Sequence, residues 1–450
     1  MSVHTPGSAP EISPPGTADQ GEGSLNTKPM RRILASSFIG STIEFYDFLL
    51  YATAASLVFP QVFFTGLDPA LATILSFITL AAGYVARPLG GIIFGHFGDR
   101  LGRKGVLVTS MVSMGIATLL MGLLPGTAQV GALAPVLLVL LRVWQGIAVG
   151  GEWGGAMLIA LEHAPGGKRG FAASFANLGA PAGSSLAALA LGAASLLPHD
   201  QFIAWGWRIP FLASVLLVAV GLVVRLRVSE SPLFTRFQAE AERRRIPIVE
   251  VFRTNAKNVV LGVLVAMTQL TISGIATVWA VGYAVAQGAE QTGVLSAKSV
   301  SAVAMFVTAI TAARLSDRFG RKPVIAVGIV AAILFAYPML LLVQSGTVAG
   351  FAVAVIVGQA IQGIILGPLA AFLAELFPTS VRFTGASVAF QGASAIGAGF
   401  TPVIAASLVA ATGGIVLLGG VWIGVLVICL GALLVSAEGR RRDLTTMISR

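Results

Sequence analysis

A short charged turn occurs twice in this chain. Gly95-His-Phe-Gly-Asp99-Arg100-Leu-Gly102-Arg103-Lys104 joins two apolar runs. Ala313-Arg-Leu-Ser-Asp317-Arg318-Phe-Gly320-Arg321-Lys322 does the same 218 positions later, with Asp-Arg-x-Gly-Arg-Lys intact. A smaller echo follows each copy: Glu162, Arg169 and Ser174 match Glu375, Arg382 and Ser387 at an offset of 213. Two echoes in one order at nearly one offset point to an internal duplication of halves about 200 residues long. Any fold must therefore be built from two similar halves, each with the turn set between long apolar segments.

Those segments decide the solvent. Of the 450 residues 56% are hydrophobic and 11% charged, against about 25% charged in soluble domains. Crossing a bilayer takes about 20 mostly apolar residues. Twelve stretches qualify, near 33–59, 70–94, 105–124, 132–160, 170–196, 207–227, 258–283, 296–316, 323–343, 348–374, 382–411 and 413–436. The boundary at 411–414 is the weakest. Lys and Arg in short loops set the orientation. With the first tail in the cytoplasm, all but four of the 29 basic residues lie inside: Arg208 and Lys298 fall outside, and Arg87 and Arg142 within spans. The net charge of +10 thus marks topology and excludes nucleic-acid binding. The expected order is a disordered cytoplasmic tail (1–30), a six-helix bundle (31–227), a cytoplasmic linker (228–257), a second six-helix bundle (258–436) and a cytoplasmic tail (437–450). In the linker, Ser231-Pro232 starts a helix that Arg243-Arg244-Arg245-Ile-Pro247 ends. The lone Cys429 excludes an intrachain disulfide.

The twelve spans, the six-plus-six repeat and the Gly-x-x-x-Asp-Arg-x-Gly-Arg-Lys turn together resemble the major facilitator superfamily. More narrowly, four motifs look like its metabolite:proton symporter branch, whose members carry shikimate, α-ketoglutarate, citrate, proline or betaine. They are Glu44-Phe-Tyr-Asp47-Phe, Arg87-Pro-Leu-Gly-Gly-Ile-Ile-Phe-Gly-His-Phe-Gly-Asp99, Gln145-Gly-x-x-x-Gly-Gly-Glu152-Trp-Gly-Gly and Gly206-Trp-Arg208-Ile-Pro-Phe. The shikimate-type carriers look closest from Arg87 to Gly155. Phe45 departs from the branch, which usually has Trp after its first-span acid. The resemblance implies an all-α membrane protein of twelve helices in two bundles, both termini cytoplasmic, in a bacterial inner membrane. It implies a proton-coupled importer of a small organic acid, shikimate- or dicarboxylate-like. The alternatives are a symporter of a zwitterionic osmolyte such as proline or betaine, and a proton-driven drug exporter. Arg142-x-x-Gln145-Gly146 matches the superfamily's span-four motif linked to proton coupling. The partners expected are the substrate, protons and the bilayer, and the chain is expected to act as a monomer. No nucleotide-binding loop, Cys/His cluster or nucleophile–base set occurs, so no cofactor, metal or enzyme activity is expected.

An ionisable residue inside a span is costly and marks a functional site. Glu44 and Asp47 share a helix face with Tyr51, and one or both exchange protons or are neutralised by a basic neighbour. Arg142, Gln145 and Glu152 occupy one side of span four. Arg142 can hold a carboxylate bidentately, or pair with an acid of the protein. Trp153 either stacks on a ring or fills space, and Arg87 either faces the cavity or reaches the inner interface. Spans seven to twelve carry no ionisable residue at mid-depth, so the second half is expected to contribute the neutral Gln269, Trp279, Gln362 and Gln391. The turns form a gate: Asp99 and Asp317 meet the N-terminus of a helix in the other bundle. Arg100, Arg103, Lys104, Arg169, Arg318, Arg321, Lys322 and Arg382 pair with acids such as Glu162 and Glu375.

Overall fold

The computed structural model describes residues 28–101, 103–150, 169–227, 247–378 and 381–439. Regular structure in them is helical throughout. The first half holds α1 (Lys28–Leu57), α2 (Pro69–Leu101), α3 (Arg103–Leu123), α4 (Leu133–Val149), α5 (Arg169–Ala194) and α6 (Arg208–Arg227). In the second half, α7 runs over Pro247–Ser273, through a π-helical Gly274–Trp279, into Ala280–Ala286. It is followed by α8 (Gln291–Phe319), α9 (Arg321–Gln344) and α10 (Val348–Leu376). Next, α11 joins Arg382–Ala393 through a π-helical Ser394–Phe400 to Thr401–Thr412, and α12 spans Val416–Val435. The weak boundary at 411–414 is made by Gly413, whose φ of +69° ends α11 in a left-handed cap. Residues 247–257, the end of the expected linker, are helical and run into α7 across a kink at Asn255. The expected linker helix over 231–245 lies outside the described residues.

The duplication is visible in which helices touch. In the first half α1 lies on α5, α2 on α4, and α3 on both α4 and α6. In the second half α7 lies on α11, α8 on α10, and α9 on both α10 and α12, so adding six to each label reproduces the set. The contacts between halves obey the same rule, α5 against α8 and α11 against α2.

Glycine makes the tightest crossings possible. A Cβ on Gly146 of α4, or on Gly150 at its C-terminal cap, would run into the carbonyl oxygens of Gly83 and Arg87 on α2. Gly363 and Gly367 of α10, 217 positions later, stand in the same relation to the carbonyls of Met305 and Ala309 on α8. Each half is thus locked by a pair of glycines four residues apart, one helical turn.

Among the described residues, seven helices are long and apolar enough to cross a membrane by themselves. The count is eight if the bent pair His199–Gly206 and Arg208–Val223 is one span. Helices α1 and α5 miss that measure because they carry polar groups inward: Glu44, Asp47, Thr53 and Ser56 on α1, Ser174, Asn177 and Ser184 on α5, all buried. The outer faces carry exposed apolar side chains such as Leu140, Leu216, Leu334 and Leu434. On a water-facing protein such a belt would be a liability, and against lipid it is the favourable surface.

Candidate functional site

The first half brings its buried charges together between α1, α2, α3 and α4. Asp47 and Arg142 are both 0% exposed. The Arg142 guanidinium lies 4.0 Å from the ring centre of Tyr51 and 4.1 Å from that of Phe48. Its Nη1 donates to Gln145 Oε1, one turn along the same helix, while Nε and Nη2 have no hydrogen-bond partner. Gln145 Nε2 in turn donates to Thr118 Oγ1 at 2.8 Å, which fixes the amide's orientation. Thr118 and Arg142 flank the Asp47 carboxylate, whose two oxygens make no hydrogen bond. Gly83 on α2 leaves room for the arginine, since a Cβ there would fall 2.5 Å from Arg142 Nε.

Glu44 and Asp47 serve different arginines. Glu44 acts on Arg87, which is buried with its guanidinium 3.9 Å from the Phe48 ring centre and 4.6 Å from that of Tyr84. Of the two placements open for Arg87, the structure has the inward one. Phe48 therefore carries both arginines, and a cation over an aromatic face in a desolvated place is held by about 2 kcal/mol. Tyr51 donates from its hydroxyl to Thr79 Oγ1 at 2.6 Å, which leaves its ring face to Arg142.

The second half presents neutral polar groups. Gln362, 217 positions after Gln145, donates from Nε2 to Gln269 Oε1 at 3.0 Å. The Oε1 atoms of Gln362 and Gln391 are buried without a partner. Trp279, in the π-helical part of α7, stacks on Tyr283 with ring centres 4.6 Å apart. Lys298, counted among the bases at the outer side, was not singled out as a site residue. Helix α8 begins at Gln291, more than a turn before 296, so Lys298 is inside it and fully buried.

The second copy of the turn is held by a network. Asp317 Oδ2 accepts from the backbone N–H of Phe171 at 3.0 Å, in the first turn of α5, and so links the halves. Arg314 lies 4.9 Å from the Phe171 ring centre. Arg321 binds Asp317 at 2.7 Å and Glu375 at 3.1 Å, both nearly buried. Lys322 Nζ donates to the carbonyls of Leu434 and Ser436 at 3.0 and 2.6 Å, and Arg382 Nε to Ala374 O at 3.1 Å. Arg318 lies 5.3 Å from the Phe319 ring centre. Gly320 carries a φ of +104°, and Glu438 caps the next helix by accepting from Arg321 N and Lys322 N. Glu152, Trp153 and Glu162 lie outside the described residues, as do the side chains of Asp99, Arg100, Arg103, Lys104 and Arg169.

With this geometry in hand, comparison with known proteins decides the family. Residues 37–387 match the Major Facilitator Superfamily. The chain belongs to it. Among relatives of this facilitator, the inner membrane metabolite transport protein YhjE of Escherichia coli is 42% identical over 386 residues, 84% of this chain and 87% of that one. The shikimate transporter of the same organism is 37% identical over 421 residues, 92% and 95% of the two chains. The crystal structure of a D-xylose-proton symporter shares the fold, with a TM-score of 0.70 at 20% identity over 92% of this chain and 99% of that one. The facilitator is a transport protein and not an enzyme, with its place in the bacterial inner membrane.

Residue types alone did not single out Phe48, Tyr84, Thr118, Arg314 or Lys298. An aromatic residue in an apolar span carries no local mark of a cation beside it. The one available sign was Gly83, one residue before Tyr84 and four before Arg87.

Proposed function

We propose that this facilitator imports a small organic acid, shikimate- or dicarboxylate-like, together with protons. Two six-helix bundles, 31–227 and 258–436, rock about a central site in a twelve-span arrangement with both termini in the cytoplasm. The observation that carries the reading is the buried Asp47–Arg142 group. One guanidinium has two unbonded donor nitrogens beside a carboxylate that makes no hydrogen bond. While Asp47 is charged, it competes for Arg142. A proton on Asp47 removes that attraction, and the planar fork of Arg142 is then free for a substrate carboxylate. Proton and anion would thus enter as a pair, which offsets the inside-negative potential opposing an anion.

A second reading, carriage of a zwitterion such as proline or betaine, is favoured by one observation. Glu44 beside Arg87 offers both signs of charge to a single solute.

The test is uptake by proteoliposomes under an inward proton gradient, with labelled shikimate, α-ketoglutarate, citrate, proline and betaine. Accumulation of one acid is expected, abolished by uncoupler. Asp47→Asn is expected to keep counterflow of that acid while losing accumulation above equilibrium. Arg142→Gln is expected to lose both. Uptake of only a zwitterion would move the substrate class, and efflux of a cationic dye with no uptake would reverse the direction.

A further inference from the structure

Helix α8 touches the first half near both of its ends. At its last turn Asp317 meets Phe171 N, and 19 residues earlier Lys298 crosses to α1. At 1.5 Å per residue the two crossings are about 28 Å apart, nearly the thickness of a bilayer's apolar core. The Lys298 end is further closed by Ser56 Oγ, which donates to Val278 O and accepts from Gly282 N, and by Ser185 against Ser299 at 2.7 Å. The halves are therefore in contact at both ends of α8.

The residue at this far crossing is unusual for a seal. Lys298 is 0% exposed, and its ammonium donates to Thr53 Oγ1 at 2.6 Å and to Thr277 O at 2.8 Å. Both acceptors are neutral. Among the described residues, no carboxylate stands within ion-pairing distance of Lys298. A buried ammonium without a counter-ion is costly, and a glutamine, whose amide carries two N–H donors, would serve neutral acceptors without that cost. The charge is unexplained by the closed seam and is accounted for by what the lysine meets when the seam opens. Thr53 belongs to α1 and moves with the first half, whereas Thr277 and Lys298 stay with the second. The Thr277 carbonyl lies in the π-helical part of α7, where Ala280 N reaches back five residues to Ile275 O.

We propose that Lys298 is a specificity-determining residue for anionic substrates. Hidden against Thr53 and Thr277 while the far end is closed, it faces the vestibule once α1 departs and there receives the substrate's carboxylate. The site would select anions over zwitterions and cations at entry, before Arg142 is reached. This rests on the organic-acid reading above.

The experiment uses the full chain in proteoliposomes with labelled shikimate as the first probe and α-ketoglutarate as the second. Lys298→Gln keeps the hydrogen bonding and removes the charge. We expect its KM to rise about tenfold, the loss of one charge-assisted contact at a wet mouth, with kcat nearly unchanged. Lys298→Arg is expected to stay within about twofold of the parent. Cys429 is the single cysteine, so Lys298→Cys in a Cys429→Ser background can be given back a cation chemically. Aminoethyl methanethiosulfonate is expected to restore a low KM, and the sulfonatoethyl reagent is not. An unchanged KM in Lys298→Gln, or equal rescue by both reagents, overturns the inference. If the parent protein accumulates neither acid under a gradient, the organic-acid reading fails and takes this inference with it. If it accumulates one and the Lys298 variants match it, this inference alone fails.

Discussion

Asp317→Ala asks whether the repeated turn is a lock or only a marker of orientation. Phe171 lies in the first turn of α5, where backbone N–H groups have no partner within the helix, and the Asp317 carboxylate supplies one at 3.0 Å. A hydrogen bond to a charged acceptor contributes about 1.5–3 kcal/mol, and the positive helix end adds to it. Arg321 keeps Glu375 at 3.1 Å in the variant, so its charge is not stranded. The Asp317–Arg321 pair at 2.7 Å is lost as well, but both of its members lie in the second half, so its loss bears on that half and not on the contact with Phe171. Taking about 2 kcal/mol, the ratio of closed to open at that end falls about thirtyfold. Spin labels at Gly105 on α3 and Phe319 on α8, in the Cys429→Ser background, report this by pulsed electron–electron distance measurement. Both positions are exposed, with open space around Gly105. We expect a longer-distance population in Asp317→Ala and a smaller one in Asp317→Asn, whose amide oxygen still accepts from Phe171. A distribution superimposable on the parent's would refute the lock and leave Asp317 without a role in closure.

Two further outcomes follow from the first half. Phe48→Leu removes the ring that both arginines face and should destabilise the protein by about 2 kcal/mol or more, read as a fall in Tm in detergent. Gly150→Ala places a methyl against the Arg87 carbonyl and should cost about 1–3 kcal/mol by forcing α2 and α4 apart, whereas Gly414→Ala, with nothing within 4 Å, should cost almost nothing.

The duplication was legible because the turn is polar. Charged residues between apolar runs cannot drift without changing topology, so Asp-Arg-x-Gly-Arg-Lys stands out in both copies. The gathering of Asp47, Arg87, Arg142 and Gln145 was legible for a related reason, since each is an expensive residue inside a span. What α1 does with its two acids was not. Spacing places Glu44 and Asp47 on one face, but only the approach of α2 and α4 assigns Arg87 to one and Arg142 to the other. The burial of Lys298 was not legible, because counting charges by side says nothing of what a lysine near a span end packs against. Its segment, Gln291 to Ser299, is polar, and its burial comes from α1 across the seam and from α7 of its own half. The π-helical segments leave no periodicity to detect, because one extra residue in a turn looks like any other apolar residue.

The π-helical segments of α7 and α11 set these two helices apart from their counterparts in the first half. Gly274–Trp279 in α7 and Ser394–Phe400 in α11 lie against each other, with Gly274 close to Thr401 and Gly397. Their counterparts α1 and α5 are α-helical without interruption over the described residues. A π turn holds one residue more than the α-helix around it, so it can relax by passing that residue along the chain. Each such slip swings the side chains beyond it by about 100° about the helix axis. On α7 the side chain swung is Trp279, and the carbonyl moved is the one that holds Lys298. The place where such a slip can occur thus lies beside the Lys298 crossing, on the second half's side of it.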